Sequence, residues 1–577
     1  MMNLDEIIRK AQEAERFGQY ADAVQIYFDA TSKVRSPVLF YNLCLLEIRL
    51  GNLEGAVQYC REVISIAPHA LEARQTLASL LLDLGQPVEA GEYLAALVSI
   101  NPLNAIARSD LALAFVRQKR GNDAYAQVRM ALSLASQSAL VNKKCSRVLN
   151  ELNYLAEAIE AAQKALLLAP SDGWAAVYLC AMLEETGAFD EAIEIGHLGT
   201  QLMPDHFAGW LNFGRALASA RHFERAIDAF SRAIELAPNE PQPRVGRALA
   251  LLTLGNLAAA WPDYEWRRRL ATFREPLPVG VCEWDGGSLK GKTILLVTEQ
   301  GFGDAIQFVR YVTRVAELGA HVVLACPDEL SSLFSSVHGV SRVVPHHGAF
   351  PRVDTFAYLM SVPRLVGERL ETIQAPVPYL VASSDRRGAW SGRLGRWRRP
   401  RVGLVWAGSQ RAHVPGHRAV DQRRSLRLRE LQPVLAVAGI DFVSLQMGPQ
   451  VGEISGCGQE IADYSTYIHD FNDTAALVSG LDLVISVDTA VVHLAGALGK
   501  SVWILSRFDS CWRWFTGRDD SPWYPTARVF RQNAPGDWRE PLTQVVNALG
   551  AWRDTISSQR TGTMCATSSD NVPPVIG

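Results

Sequence analysis

A period of 34 residues constrains this chain more than any other feature. Prolines at 68, 102, 170, 204 and 238 fall on one 34-residue grid, on which position 136 alone lacks a proline. A glycine stands 17 residues before three of them (Gly51, Gly85, Gly187), and an alanine stands 12 before each (Ala56, Ala90, Ala158, Ala192, Ala226). Compare "GNLEGAVQYCREVISIAP" with "GAFDEAIEIGHLGTQLMP". Both read as a turn, an amphipathic helix and a proline that stops it. The glycine supplies the turn conformation, and the alanine lets two helices pack closely. A chain repeated in this way cannot gather one central core, so each unit buries its apolar face against its neighbours. The unit around 103–138 looks irregular, with Gly121 and Ala126 two residues late. "GQYADAVQIYFDA" and "GNLAAAWPDYEW" read as the first and last units, so seven or eight repeats are expected over residues 4–272.

Beyond residue 272 the grid stops. "FREPLPVGVCEWDGGSLKGK" is a proline- and glycine-rich connector. Apolar strands then alternate with helices. The candidate strands are 293–299, 321–326, 401–408, 441–446, 481–488 and 501–506, and the candidate helices 304–317, 428–438, 474–480 and 489–499. Continuous Val, Ile and Leu runs between helices predict parallel sheets covered on both faces. The arginine-rich stretch 383–401 reads as a solvated hinge, dividing this half into units at 290–385 and 400–550. Residues 555–577 are polar and small and are expected to be disordered. The formal net charge of −3 offers no broad basic surface for nucleic acid. Nine cysteines without a C-x-x-C pair fit a reducing compartment, and no apolar run approaches the roughly 20 residues of a membrane helix. A cytoplasmic protein is expected.

In an open α/β sheet, ligands bind outside the carboxyl ends of the strands. Three motifs stand there. In "EQGFGDAIQF", Gly301 and Gly303 bracket a turn, and Asp304 is either a helix cap or a group facing the cleft. In "DLVISVDTAVVHLAGALG", a buried strand ends at Asp488 and Thr489 is placed to cap the next helix. Ala490 and Ala497 keep that helix face small, and His493 lies one turn on. Backbone N–H groups at such a helix start bind anionic oxygens without a metal. In "GSQRAHVPGHRAVDQRRSL", Arg423 and Arg424 are suited to phosphate oxygens, while Pro415 and Gly416 argue against a helical His413/His417 metal pair. There is no D-x-D triplet of the kind that holds a nucleotide-sugar through a metal. "WRWFTGRDDSPWYP" collects Trp512, Trp514, Trp523 and Tyr524, which either stack on a ligand or pack the final helix on the sheet.

The repeat grid resembles the tetratricopeptide repeat, TPR. Together the blocks of the second half resemble glycosyltransferase family 9, the ADP-heptose:lipopolysaccharide heptosyltransferase group, and more closely its bacterial members fused to such repeats. The blocks are "TEQGFGDAIQFVRYV", "VGLVWAGS", "RRSLRLREL", "DFVSLQ", "LDLVISVDTAVVHLAGALGKSVWIL" and "WRWFTGRDDSPWYPTARVFRQ". The resemblance implies an α + α/β architecture: an N-terminal TPR α-solenoid followed by a GT-B fold of two Rossmann-like α/β domains, acceptor side first and donor side second. It implies an inverting, metal-independent glycosyltransferase with a nucleotide-sugar as co-substrate and no cofactor. By motif, Asp304 matches the general base. Gly303, Arg424, Ser425, Gln446, Asp488, Thr489, Ala490 and His493 match the donor side, with Arg424 where heptosyltransferases carry a lysine. Gln446 is matched by position alone, near the nucleoside. The array implies a protein or peptide acceptor in its groove, flagellin being one analogy. The other readings are transfer to lipopolysaccharide core or another glycan, and an interaction scaffold whose transferase domain is inactive.

Overall fold

The computed structural model describes residues 4–276, 278–373, 376–395, 399–409 and 417–566. Its first part is a TPR helix array. Eight helix hairpins follow one another among the described residues, from Leu4–Arg16 with Tyr20–Thr31 to Pro241–Thr253 with Leu257–Tyr264. From Gly51 onward the grid holds without a break, and Gly18 stands one residue off it. The helix that begins each hairpin is followed by a turn residue with positive φ: Gly18, Gly51, Gly85, Lys119, Asn153, Gly187, Arg221 and Gly255. The irregular unit expected at 103–138 is therefore regular. Its turn residue is Lys119 rather than Gly121, and its buried alanine is Ala124 rather than Ala126. The sequence misleads there because lysine occupies a conformation usually left to glycine. The grid alanines from Ala56 to Ala260 are fully buried, which is where two helices touch.

The chain divides into two compact units. The first comprises the described residues up to Thr186 with Glu194–Pro204, and the second comprises Gly187–Ile193 and everything described from Asp205 onward. The last two hairpins thus belong with the α/β region. Trp261 and Tyr264 share one apolar core with Ile294, Phe308, Val492 and Trp512. The Trp261 indole N–H donates to the Glu368 carbonyl at 3.0 Å. Arg267, just past the last repeat helix, pairs with the fully buried Glu299 at 2.6 Å and also reaches Ser361 at 2.9 Å.

The α/β region carries two parallel sheets. The first contains β1 (Thr293–Val297), β2 (His321–Cys326), β3 (Val340–Pro345) and β4 (Thr355–Tyr358), in the order β3-β2-β1-β4. The second contains β5 (Arg401–Val405), β6 (Asp441–Ser444), β7 (Ile461–Asp463), β8 (Leu483–Val487), β9 (Ser501–Ser506) and β10 (Ala527–Arg531), in the order β7-β6-β5-β8-β9-β10. Relative to its own first strand, the second sheet has the full Rossmann order and the first sheet has its first four places. The strand order turns between β1 and β4 in one sheet and between β5 and β8 in the other. Those are the crevices where such sheets bind ligands.

β3, β4, β7 and β10 are additional to the strands expected from sequence. β3, β7 and β10 lie at or beside sheet edges and are only partly buried, so their hydrophobic pattern is weak. The expected 304–317 helix is two helices, Phe302–Phe308 and Tyr311–Glu317. The stretch read as a solvated hinge contains a helix, Ser384–Leu394. That helix is docked through buried Trp390, whose indole N–H donates to Asp473 at 3.1 Å, and through Arg386, which pairs with the same carboxylate at 3.0 Å. The final helix runs Arg539–Ala566, so residues 555–566 of the tail expected to be disordered are helical, and residues 567–577 lie outside the described residues.

Candidate functional site

The candidate residues gather at the two crevices. At the first, β1 ends at Val297 and the chain turns through Gln300, held in the left-handed region at φ 63°, before the helix Phe302–Phe308 begins. The Gly301 N–H donates to Asp304 Oδ2 at 3.0 Å, so Asp304 closes the first turn of its own helix. Its other oxygen, Oδ1, accepts from Arg513 Nη2. Gly303 faces the second sheet's helix Ala490–Ala497. A Cβ there would lie 2.9 Å from His493 Cδ2 and 3.4 Å from Ala490 Cα, so glycine is what allows the two helices to touch. Gly303, Asp304, Ala490 and His493, drawn from motifs almost 190 residues apart, are thereby brought together.

At the second crevice, Arg424 spans the ends of β5 and β8. Its Nη1 donates to the Asp488 carbonyl at 3.0 Å, its Nη2 pairs with Asp421 at 2.8 Å, and its guanidinium lies against Gly408. The Ser425 hydroxyl accepts from the Gly408 N–H at 3.1 Å and donates to the Asp421 carbonyl at 2.6 Å. Gln446 is buried, with its amide spent on backbone. Oε1 accepts from the Trp406 and Ala407 N–H groups at 3.1 and 2.9 Å, and Nε2 donates to the Ala407 and Met447 carbonyls at 3.0 and 2.9 Å. Its contribution here is to shape the loop after β5. Residues 410–416, which include His413, lie outside the described residues.

Thr489 is the N-cap residue of Ala490–Ala497, but its side chain makes no capping bond. Its hydroxyl lies 3.1 Å from that of Ser486 instead. The carboxylate of half-buried Asp488 makes no hydrogen bond or ion pair among the described residues.

His493 is 4% exposed. Its Nδ1 is 3.0 Å from Tyr524 Oη and its ring stacks on Trp514 at 5.2 Å. Burial, then the nearby Arg513 and Arg310 charges, hold its pKa well below the usual imidazole value, so the ring is neutral. The aromatic segment takes the packing role, though not against the final helix. Trp512, Trp514, Trp523 and Tyr524 are buried, and Trp512 meets Trp261 and Tyr264 of the last repeat edge-on, each at 6.3 Å.

Several residues near Asp304 are not singled out by sequence reasoning. Arg513 donates through Nε to Gln307 Oε1 at 2.7 Å as well as binding Asp304. Burial opposes its charge, yet the Asp304 carboxylate keeps it above the usual arginine value. Arg310 is buried in a box of Tyr379, Trp523 and Tyr524 rings and donates to the Trp523 carbonyl at 3.0 Å. Tyr264, from the last repeat, accepts from Gln300 Nε2 at 3.4 Å, and burial pushes its phenol up to about 12. Gln307 and Arg310 lie in the quoted "GDAIQFVRYV" and Arg513 in "WRWF", but only folding brings these segments together.

Two family models described as tetratricopeptide repeat match the chain, one over residues 47–102 and the other over 8–70, 76–139 and 211–265. Protein FlbA of Caulobacter vibrioides (strain ATCC 19089 / CIP 103742 / CB 15) is 28% identical over 438 residues, covering 70% of this chain and 71% of that protein. That span is longer than the repeat region, so the likeness reaches into the α/β half. Among solved structures, the Cut9–Hcn1 hetero-tetramer of APC/C is 16% identical over 47% of this chain and 54% of that one, with a TM-score of 0.36. This chain therefore spans about half of that protein. A tetratricopeptide repeat protein from Parabacteroides merdae ATCC 43184 is 17% identical over 43% of this chain and 98% of that one, with a TM-score of 0.37. YrrB, described as a TPR protein with an unusual peptide-binding site, is 20% identical over 33% of this chain and 97% of that one, with a TM-score of 0.26.

Proposed function

We propose that the chain is an inverting glycosyltransferase that moves a sugar from a nucleotide-sugar to a hydroxyl on a protein engaged by its repeats. The repeats themselves support a protein-interaction role. The observation that carries the transferase reading is the meeting of the two strand-end motifs. Gly303, beside Asp304 on the helix after β1, touches the helix whose start is flanked by Asp488 and by Arg424. In this reading the acceptor oxygen attacks the anomeric carbon as the bond from that carbon to the diphosphate oxygen breaks. The nucleoside diphosphate leaves toward Arg424 and the N–H groups at the start of Ala490–Ala497, and Asp304 takes the acceptor proton. The exchange of lysine for arginine at Arg424 retains the charge but alters the geometry, so the sugar and nucleotide are left open.

One observation favours a second reading, in which the transferase half is an inactive scaffold. Each Asp304 oxygen already has a partner, as a purely structural cap would. A single experiment separates the two. Purified protein, wild type and Asp304→Asn, is incubated with a panel of nucleotide-sugars and a candidate acceptor, flagellin first, and the acceptor is read by intact mass. The expected result is one added hexose- or heptose-type mass with wild type, and a loss of about 10²–10⁴-fold in rate with Asp304→Asn at unchanged nucleotide affinity. Turnover of Asp304→Asn within about threefold of wild type would exclude Asp304 as the base. No added mass with any donor and acceptor would favour the scaffold.

A further inference from the structure

We propose that Arg513 positions the Asp304 carboxylate, so that the base is aligned only while the two sheets are together. This inference rests on the reading of Asp304 as the base. Asp304 stands on the helix after β1 in the first sheet, whereas Arg513 stands in the segment after β9 in the second. The guanidinium is keyed to two residues of one helix: Nη2 to Asp304 Oδ1, and Nε to Gln307 Oε1, one turn further on. Its remaining nitrogen, Nη1, donates to Cys511 Sγ at 3.2 Å, and the group lies 4.5 Å from the centre of the Trp512 ring. Trp512 is in turn wedged against Trp261 and Tyr264 of the last repeat, which fixes the backbone from which Arg513 extends.

The effect on Asp304 follows from donor counting. The Gly301 N–H takes one oxygen and Arg513 the other, so the carboxylate cannot rotate, yet each oxygen keeps a second acceptor position. A base held in this way meets the acceptor hydroxyl in one orientation, and a misplacement of about 1 Å can cost roughly 10²-fold in rate. A strap that merely joins the two sheets would still act through Gln307, and through the amide oxygen of Asn at 304, once the carboxylate is gone. The two roles therefore differ in whether Arg513 matters once Asp304 is gone.

The test is a double-mutant cycle in the full-length chain, with Arg, Lys or Gln at 513 combined with Asp or Asn at 304. The readouts are transfer from whichever nucleotide-sugar of the proposed donor panel wild type uses, nucleotide titration and thermal melting. Arg513→Gln is expected to lower kcat about 10–100-fold while nucleotide affinity changes by less than about threefold, and Arg513→Lys to recover part of the loss. In the Asp304→Asn background, Arg513→Gln should cost no more than about twofold, and the pair without either charge should melt above Arg513→Gln alone. An equal loss from Arg513→Gln in both backgrounds would make Arg513 a strap, and a rise in kcat would make it a restraint on the base. Either result overturns the proposal while leaving Asp304 as the base. An Asp304→Asn protein as active as wild type overturns both.

Discussion

His493 shows what a buried titratable residue does at this junction. Its pKa is depressed in the fold, so the folded protein keeps the ring neutral where the unfolded chain would protonate it. Above about pH 6.5 both states are neutral at this residue and it imposes no penalty. As pH falls from there toward the folded pKa, the unfolded state binds more protons and stability drops by up to about 1.4 kcal/mol per pH unit. Melting curves between pH 8 and 5 should therefore steepen below about 6.5 in wild type and flatten in His493→Gln. Equal slopes in both proteins would place the acid sensitivity elsewhere. Asp304 is the opposite kind of residue: partly exposed, bonded on both oxygens and carried by a turn. The motif "GFGD" marks its place, but no property of the motif reveals that Arg513 holds it.

At the scale of elements, the helix hairpins depend on one turn residue each. Gly51, at φ 78°, has open space where a Cβ would go, so substituting it costs only the left-handed backbone. Lys119 sits in the same place at φ 62° and already bears that cost. Gly51→Ala is expected to destabilise the first unit by about 1 kcal/mol, and Lys119→Gly to stabilise it by a similar or smaller amount. Denaturant midpoints at unchanged slope would check both. If the two substitutions shift stability in the same direction, the turn conformation is not what limits the hairpin. The interior strands of both sheets were legible as unbroken Val, Ile and Leu runs because both their faces are covered. β3, β7 and β10 were not, because partly exposed strands carry a weaker pattern.

At the scale of the molecule, the repeat array does not end where the α/β region begins. Trp261 and Tyr264 lie in the α/β core, and Arg267 neutralises Glu299, whose carboxyl is fully buried at the end of β1. Burial pushes that carboxyl above the usual range against the pull of Arg267. A chain lacking residues 1–270 loses all three side chains. A buried carboxylate stripped of its partner costs about 3–5 kcal/mol and each lost aromatic a similar amount, against a total of about 5–15 kcal/mol for a domain. That truncation is expected not to fold. A chain beginning at Gly187 keeps the whole second unit and is expected to melt cooperatively and bind nucleotide, while no longer modifying a protein acceptor. Soluble expression, thermal melting and nucleotide titration of the two truncations provide the check. A folded chain from Ala271 would mean that the last repeat is an accessory to this core, and full modification by the Gly187 chain would remove the first unit from acceptor binding.

Several features followed from the sequence by itself: the 34-residue array, the alternation of strands and helices after residue 272, and the placing of Asp304 and Asp488 in the turns that follow strands. Each is a local matter of a period, a composition or a spacing within one segment, and local patterns are imposed by backbone geometry that any stretch of chain obeys. The tertiary structure alone decided that Arg513 holds Asp304, 209 residues away, that the last repeat lends Trp261 and Tyr264 to the α/β core, and that His493 is enclosed. Those contacts join residues distant in the chain, whose chemistry offers many possible partners. Only the packing of two sheets and a repeat around one core selects among them.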